Sequence, residues 1–140
     1  LSLMENQKLV AEGAGAVPVA AALFHKLPIE GKKVVCVVSG GNIDVNILSR
    51  VITRGLVMSG RKANLTIALE DKPGQLQRVA EIVSRCGSNV VSVLHDGSDP
   101  NMPISSCFLK LTLETRDAVQ IEQIRAELTK EGFQLVSERV

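Results

Sequence analysis

Leu65-Thr66-Ile67-Ala68-Leu69-Glu70, followed at once by Asp71-Lys72-Pro73-Gly74-Gln75-Leu76, is the stretch on which the fold of this 140-residue chain turns. Leu65, Ile67 and Leu69 alternate with Thr66, Ala68 and Glu70, the period of a strand with one buried face. Asp71 to Gly74 reads as a turn, Pro73 suits a first helical position, and Leu76, Val79, Ala80 and Val83 make the apolar face of the helix that follows. Further on, Asn89 to His95 is a second strand and Ile104 to Glu114 a third, separated by a loop carrying Gly97, Pro100 and Pro103. Thr115 or Asp117 caps a second helix whose apolar positions Val119, Ile121, Ile124 and Leu128 run to a stop at Gly132, and Phe133 to Val136 is the last strand. The order βαββαβ is the ferredoxin-like split arrangement, an α+β antiparallel sheet with both helices on one face. The other face is expected to be apolar and covered by dimerisation.

Upstream the pattern changes. Leu3-Met4-Glu5-Asn6 reads as the end of a helix begun earlier, so the chain is expected to be a truncated piece. An Ala-rich segment to about His25 has good helix propensity. Val34-Val35-Cys36-Val37-Val38 is a β-branched run bounded by glycines, the signature of a strand buried on both faces of a parallel sheet. After Ser39-Gly40-Gly41-Asn42, the positions Ile43, Ile47, Leu48, Val51 and Ile52 recur at helical spacing, with Asn42 as N-cap and Asp44 near the positive end of the dipole. Residues 1–55 are therefore a slice of an α/β layer without its neighbouring strands, 56–63 a linker, and 64–140 the α+β domain.

A net charge of +1 leaves no electrostatic footprint for nucleic acid or a membrane surface. The longest apolar run is broken by Gly15 and Pro18 and is too short to span a bilayer. Cys36, Cys86 and Cys107 have no paired spacing for a disulfide framework or a zinc site, which points to a reducing cytoplasm. Cys86 and Cys107 fall on apolar faces and read as core residues; His25 and His95, without a second ligand at metal spacing, read as surface residues. With three Phe and neither Tyr nor Trp, the strands lack the aromatics of an RNA-binding sheet.

Five strings together resemble a known family. Glu12-Gly13-Ala14-Gly15-Ala16 and Val37 to Asp44 are similar to two signatures late in the catalytic domain of threonine dehydratases (threonine ammonia-lyases), fold-type II pyridoxal-phosphate enzymes. Gly55-Leu56, Ser59-Gly60-Arg61 and Asp71 to Leu76 resemble the linker and ACT regulatory domain of the single-ACT form. On its own, Ser-Gly-Gly-Asn between strand and helix is either an anion-binding loop or a tight capped turn. The resemblance implies a cofactor set of Ser39, Gly40, Gly41, Asn42 and Glu12, with Ser39 at the pyridine nitrogen. It also implies a cofactor lysine and phosphate loop, and neither string occurs here; Lys8, Lys26, Lys32 and Lys33 sit in exposed helix ends and turns. No cofactor is expected on this chain alone, and no lyase activity, although the parent would convert threonine to 2-oxobutanoate and ammonia.

For the sensor, the turn and the first amides of its helix favour a carboxylate, whereas Asp71 and Pro73 could equally just start a helix. The resemblance implies an effector site of Asp71, Pro73, Gly74, Gln75 and Leu76, facing Asn89, Val90, Val91 and Ser92 of a neighbouring module, with isoleucine or valine as ligand and a homo-oligomer as assembly. A free-standing ACT module, sensing or dimerising without an enzyme, is the alternative.

Overall fold

The computed structural model describes residues 1–100 and 102–136; positions 137–140, the end of the range read as the second domain, lie outside the described residues. The chain divides into two compact units, Leu1–Gly55 and a second beginning at Leu56.

The first unit holds a single π-type turn, Leu3–Gln7, helix α1 (Gly13–Leu23, with Pro18 inside it) and most of helix α2 (Val45–Met58). The run Val34–Val38 is not a strand: it carries no ladder, and Val35 and Val37 are 91% and 71% exposed. A strand exists through its hydrogen-bonded neighbours, and the described residues of this unit offer it none. Among them only Gly15 is buried, so the unit has no hydrophobic core of its own. The cap of α2 also differs from expectation. Asp44, not Asn42, accepts from the Asn46 and Ile47 amides at 2.8 and 3.3 Å, because the helix starts one residue after it. The helix continues past Gly55, through residues read as linker, and closes where Gly60 (φ +70°) lets its own amide reach Val57 and that of Arg61 reach Leu56.

The second unit has the expected order: β1 (Lys62–Glu70), α3 (Gln75–Arg85), β2 (Asn89–Asp96), β3 (Ser106–Glu114), α4 (Ala118–Lys130) and β4 (Gln134–Val136). The strands form one antiparallel sheet in the order β2-β3-β1-β4, which is the ferredoxin-like arrangement. Pairing runs unbroken from Lys62↔Glu114 to Glu70↔Ser106, so odd positions of β1 and β3 share one face. That face, with Leu65, Ile67, Leu109, Leu111 and Leu113, meets Val79, Ile82 and Val83 of α3 and Ile124 and Leu128 of α4 in a single core.

Both helices are rotated slightly from the sequence reading. α3 buries Ile82 and Cys86, while Leu76 and Ala80 are exposed; it begins at Gln75 with Gly74 as N-cap, two residues after Pro73. In α4 Val119 is 76% exposed and Gln120 is buried. Its amide nitrogen donates to the Cys86 carbonyl and its oxygen accepts from the Arg116 amide, both at 2.7 Å. The side chain thereby joins the end of α3 to the start of α4, where Asp117 is the N-cap, accepting from Gln120 N–H at 2.8 Å.

The second sheet face is mixed and not uniformly apolar as expected. Asn64, Thr66, Ser92, Lys110, Thr112 and Asp96 share it with Ala68, Phe108 and Leu94; Thr112 donates to Asn64 at 3.1 Å and Lys110 pairs with Asp96 at 2.9 Å. The exposed large apolar side chains of the sheet lie on its edge strand β2, at Val91, Val93 and Leu94, and Leu94 belongs to this second face.

Gln120→Met keeps volume but leaves one buried acceptor and one donor unpaired; a loss of about 1–3 kcal/mol per group is expected in urea unfolding followed by far-ultraviolet circular dichroism. Val119→Ala, an exposed change, should stay within about 0.5 kcal/mol. Gly60→Ala combines a positive φ with a Cβ built 2.4 Å from the Ala118 nitrogen, and should cost more than about 1 kcal/mol in the same assay.

Candidate functional site

The turn after β1 is tied down at both ends. Asp71 donates its amide to the Ser105 carbonyl at 2.8 Å, prolonging the β1–β3 ladder by one bond, and Lys72 donates to Glu70 at 2.9 Å. Gly74 then takes φ +90°, a conformation that only a residue without Cβ adopts cheaply, and opens α3 without a side-chain cap. The cap residue thus supplies the first-turn amides no side-chain partner, and the Gln75 amide makes only a long bond of 3.4 Å to the Lys72 carbonyl.

Beside this turn lies an open cleft of about 530 Å³ whose lining includes Leu69, Gln75, Arg78, Met102 and Phe133. Arg78 was not among the residues singled out from sequence. Its guanidinium sits 5.1 Å from the centroid of the Phe133 ring and donates to the Glu131 carbonyl at 3.4 Å. Gln75 Oε1 is buried without a hydrogen-bond partner. A fixed cation, an unpaired acceptor and a helix start along one cleft suit a small zwitterion better than a purely apolar ligand.

Asp71, Pro73, Gly74, Gln75 and Leu76 are thus together at one end of the sheet. Asn89, Val90 and Val91 are not with them. Asn89 pairs with Glu114, which pairs with Lys62, so these residues occupy the opposite end of the same sheet. The β2 residue near the turn is His95. Its Nε2 lies 3.3 Å from Asp71 Oδ1 and 3.0 Å from the Sγ of Cys107, which corrects its reading as an isolated surface residue. The missed signal was register parity: Cys107 faces Leu69 across the ladder, hence the same side as Asp71.

In the first unit, the two strings taken for a cofactor loop do meet. Glu12 donates its amide to the Gly40 carbonyl at 3.0 Å. A Cβ on Gly15 would stand 1.5 Å from the Ser39 carbonyl oxygen, and one on Gly40 would stand 2.6 Å from a Glu12 carboxylate oxygen. Gly15 and Gly40 thus admit a neighbouring segment of this chain, while a Cβ on Gly13 would meet nothing within 4 Å. The cavity next to Glu12 is about 120 Å³ and is lined by Leu3, Leu9, Val10, Ile43 and Leu48 among others, with no lysine. These residues by themselves do not fit pyridoxal phosphate. Asn42 follows in the same loop, ahead of Asp44.

No family model matches the chain. An L-threonine ammonia-lyase of Thermotoga maritima is 47% identical over 135 residues, covering 96% of this chain and 33% of the relative. One from Geobacter sulfurreducens is 40% identical over 133 residues, covering 95% and 33%. A biosynthetic L-threonine dehydratase of Lactococcus lactis is 40% identical over 77 residues, covering 55% and 18%. Among solved structures, the ACT domain from a GTP pyrophosphokinase of Chlorobium tepidum covers 54% of this chain at a TM-score of 0.42 and 15% identity. The chain spans about a third of the length of the first two relatives. Over 96% of its length it is homologous to the C-terminal part of the L-threonine ammonia-lyases.

Proposed function

We propose that this chain is the C-terminal part of a pyridoxal-phosphate-dependent threonine ammonia-lyase, a remnant of the catalytic domain followed by an ACT regulatory domain, from a parent enzyme that releases ammonia from threonine to give 2-oxobutanoate. The observation that carries the reading is the alignment at 47% identity over 135 residues, which spans both units and not the sheet domain alone. That breadth favours a lyase piece over a free-standing sensor. The cofactor supplies the electron sink for elimination. Ser39, Gly40, Gly41, Asn42 and Glu12 would line its pocket only once the remainder of the parent closes over this loop.

The role of the sheet domain in this reading is to bind an amino acid, with isoleucine or valine as the effector. Its carboxylate goes to the amides at the start of α3, at Gln75 and Leu76, with Arg78 close by. Its ammonium goes to Asp71. Pro73 and Gly74 keep the approach open, since nothing lies within 4 Å of a Cβ built at Gly74. The branched side chain then needs an apolar wall, and Asn89, Val90 and Val91 supply it from a second copy, because in one copy they lie at the far end of the sheet. Exposed Val91, Val93 and Leu94 on edge strand β2 support such pairing. Regulation follows if the effector has different affinity for two arrangements of the oligomer.

Isoleucine or valine at 100-fold over its Kd should stabilise the chain by about 2.7 kcal/mol, read as a saturable rise in Tm that alanine does not produce. Gly74→Asp, which sets a carboxylate where the ligand's would lie, should abolish the rise. A chain indifferent to every branched-chain amino acid as a verified oligomer sinks the effector assignment. The isolated chain should release no ammonia from threonine with pyridoxal phosphate added, and measurable release would overturn the placing of the chemistry in the rest of the parent.

A further inference from the structure

Asp71, His95 and Cys107 come from three separate segments and are gathered by strand pairing. Cys107 is opposite Leu69 on β1, and His95 is opposite Leu109 on β3, so all three side chains belong to the helix-facing side of the sheet. Asp96, next to His95, belongs to the other side, where Ser98 and Lys110 hold its carboxyl far below the usual range. The three donor atoms, one nitrogen, one sulfur and one oxygen, all lie within 4.8 Å of one another. Cys107 is fully buried, while the side chains of His95 and Asp71 are each 53% exposed. The sulfur therefore sits deepest, with the nitrogen and oxygen at the rim and one side open to solvent.

Hydrogen bonding alone accounts poorly for this cluster. His95 Nε2 has two partners, Cys107 Sγ at 3.0 Å and Asp71 Oδ1 at 3.3 Å, and a single ring nitrogen either donates one proton or accepts one. A common centre satisfies all three at once. Metal bonds of about 2.3 Å to sulfur and about 2.0–2.2 Å to nitrogen and oxygen, at tetrahedral angles, set S···N near 3.5 Å and N···O near 3.3 Å. The observed N···O distance already has that value, and the S···N distance must open by about half an ångström, within reach of an exposed imidazole.

We propose that Asp71, His95 and Cys107 form a binding site for a borderline divalent transition cation of the zinc class, three protein ligands with a fourth position open to water or another small ligand. One thiolate, one imidazole and one carboxylate select such an ion over magnesium or calcium, which need several oxygen ligands. Binding makes metal–sulfur, metal–nitrogen and metal–oxygen bonds and breaks the Cys107 S–H bond; its proton leaves to solvent and nothing is oxidised. Burial and the Asp71 charge hold the Cys107 thiol above its ordinary pKa, so the cation supplies the charge that stabilises the thiolate. The site ties the turn ahead of α3 to strands β2 and β3. It rests on the geometry of the three donors and not on the effector reading, with which it shares Asp71.

The test is titration of the whole 140-residue chain with cobalt(II) under reducing conditions. One equivalent should give a thiolate-to-cobalt charge-transfer band with the intense visible absorption of a four-coordinate ion, both displaced by zinc and not by magnesium. Cys107→Ser should remove the charge-transfer band, whereas Cys36→Ser and Cys86→Ser should keep it. Should Cys107→Ser unfold, the exposed changes His95→Gln and Asp71→Asn carry the same question, and each should weaken cobalt binding on the order of tenfold or more with unchanged circular dichroism. No saturable band, a band that survives Cys107→Ser, or affinity indifferent to His95→Gln overturns the site.

Discussion

The antiparallel pairing of β1 with β3 is the constraint from which the rest of the second unit follows. Nine consecutive pairs, Lys62↔Glu114 through Glu70↔Ser106, leave no bulge between them. A slip of one residue would turn Leu65, Ile67, Leu109 and Leu111 to the polar face and Asn64, Thr66, Lys110 and Thr112 into the core. The same register decides what stands at the ladder's end. Asp71 continues β1 on the helix side, Cys107 begins β3 on that side, and β2 brings His95 beside them. The cleft, the turn and the three-donor cluster are consequences of one alignment of two strands.

Against that frame the helices are held by polar detail as much as by apolar contact. Three helices end in the same way, at Gly60, Gly87 and Gly132, each glycine at positive φ. At each stop the glycine amide and the next amide bond back to carbonyls of the last turn: Val57 and Leu56, Ser84 and Val83, Thr129 and Leu128. Gln120 then uses a buried amide to satisfy a carbonyl at the end of α3 and an amide ahead of α4. Its cost of burial is offset only because both halves of the amide are paired. Thr115 does the same on a smaller scale, donating to the Gly60 carbonyl at 2.7 Å in a buried position.

How far the sequence discloses this depends on the kind of signal. Element order and type were legible from alternation at Leu65 to Glu70 and from turn residues such as Pro73-Gly74 and Gly132, because these report local backbone preference. Helix rotation was not. Val119 outranks Gln120 on hydrophobicity, and only the hydrogen-bonding needs of Arg116, just ahead of the helix, and of Cys86, distant in sequence, turn the glutamine inward. The Val34–Val38 run failed for the opposite reason: its composition is that of a strand between two others, and composition does not supply the neighbours. For the candidate site, the turn was legible as a local motif. Arg78 and the His95–Cys107 approach were not, since each depends on which residues lie side by side across strands or beside a later helix end.

The two glycine-rich strings of the first unit show how one sequence feature admits two physical explanations. Glycine is equally what a ligand phosphate or a neighbouring backbone requires, because both need the Cβ position vacant. Here Gly15 is filled against by the Ser39 carbonyl and Gly40 by the Glu12 carboxylate. The packing is between the strings themselves, and Val35 and Val37 stay largely exposed. A unit whose only buried residue is a glycine does not gain enough apolar burial to offset the entropy of ordering fifty residues. Its apolar surface calls for further structure around it, whereas the second unit closes its own core from Leu65 to Phe133. That difference in self-sufficiency is why the second unit's geometry stands on this chain's own residues and the first unit's does not.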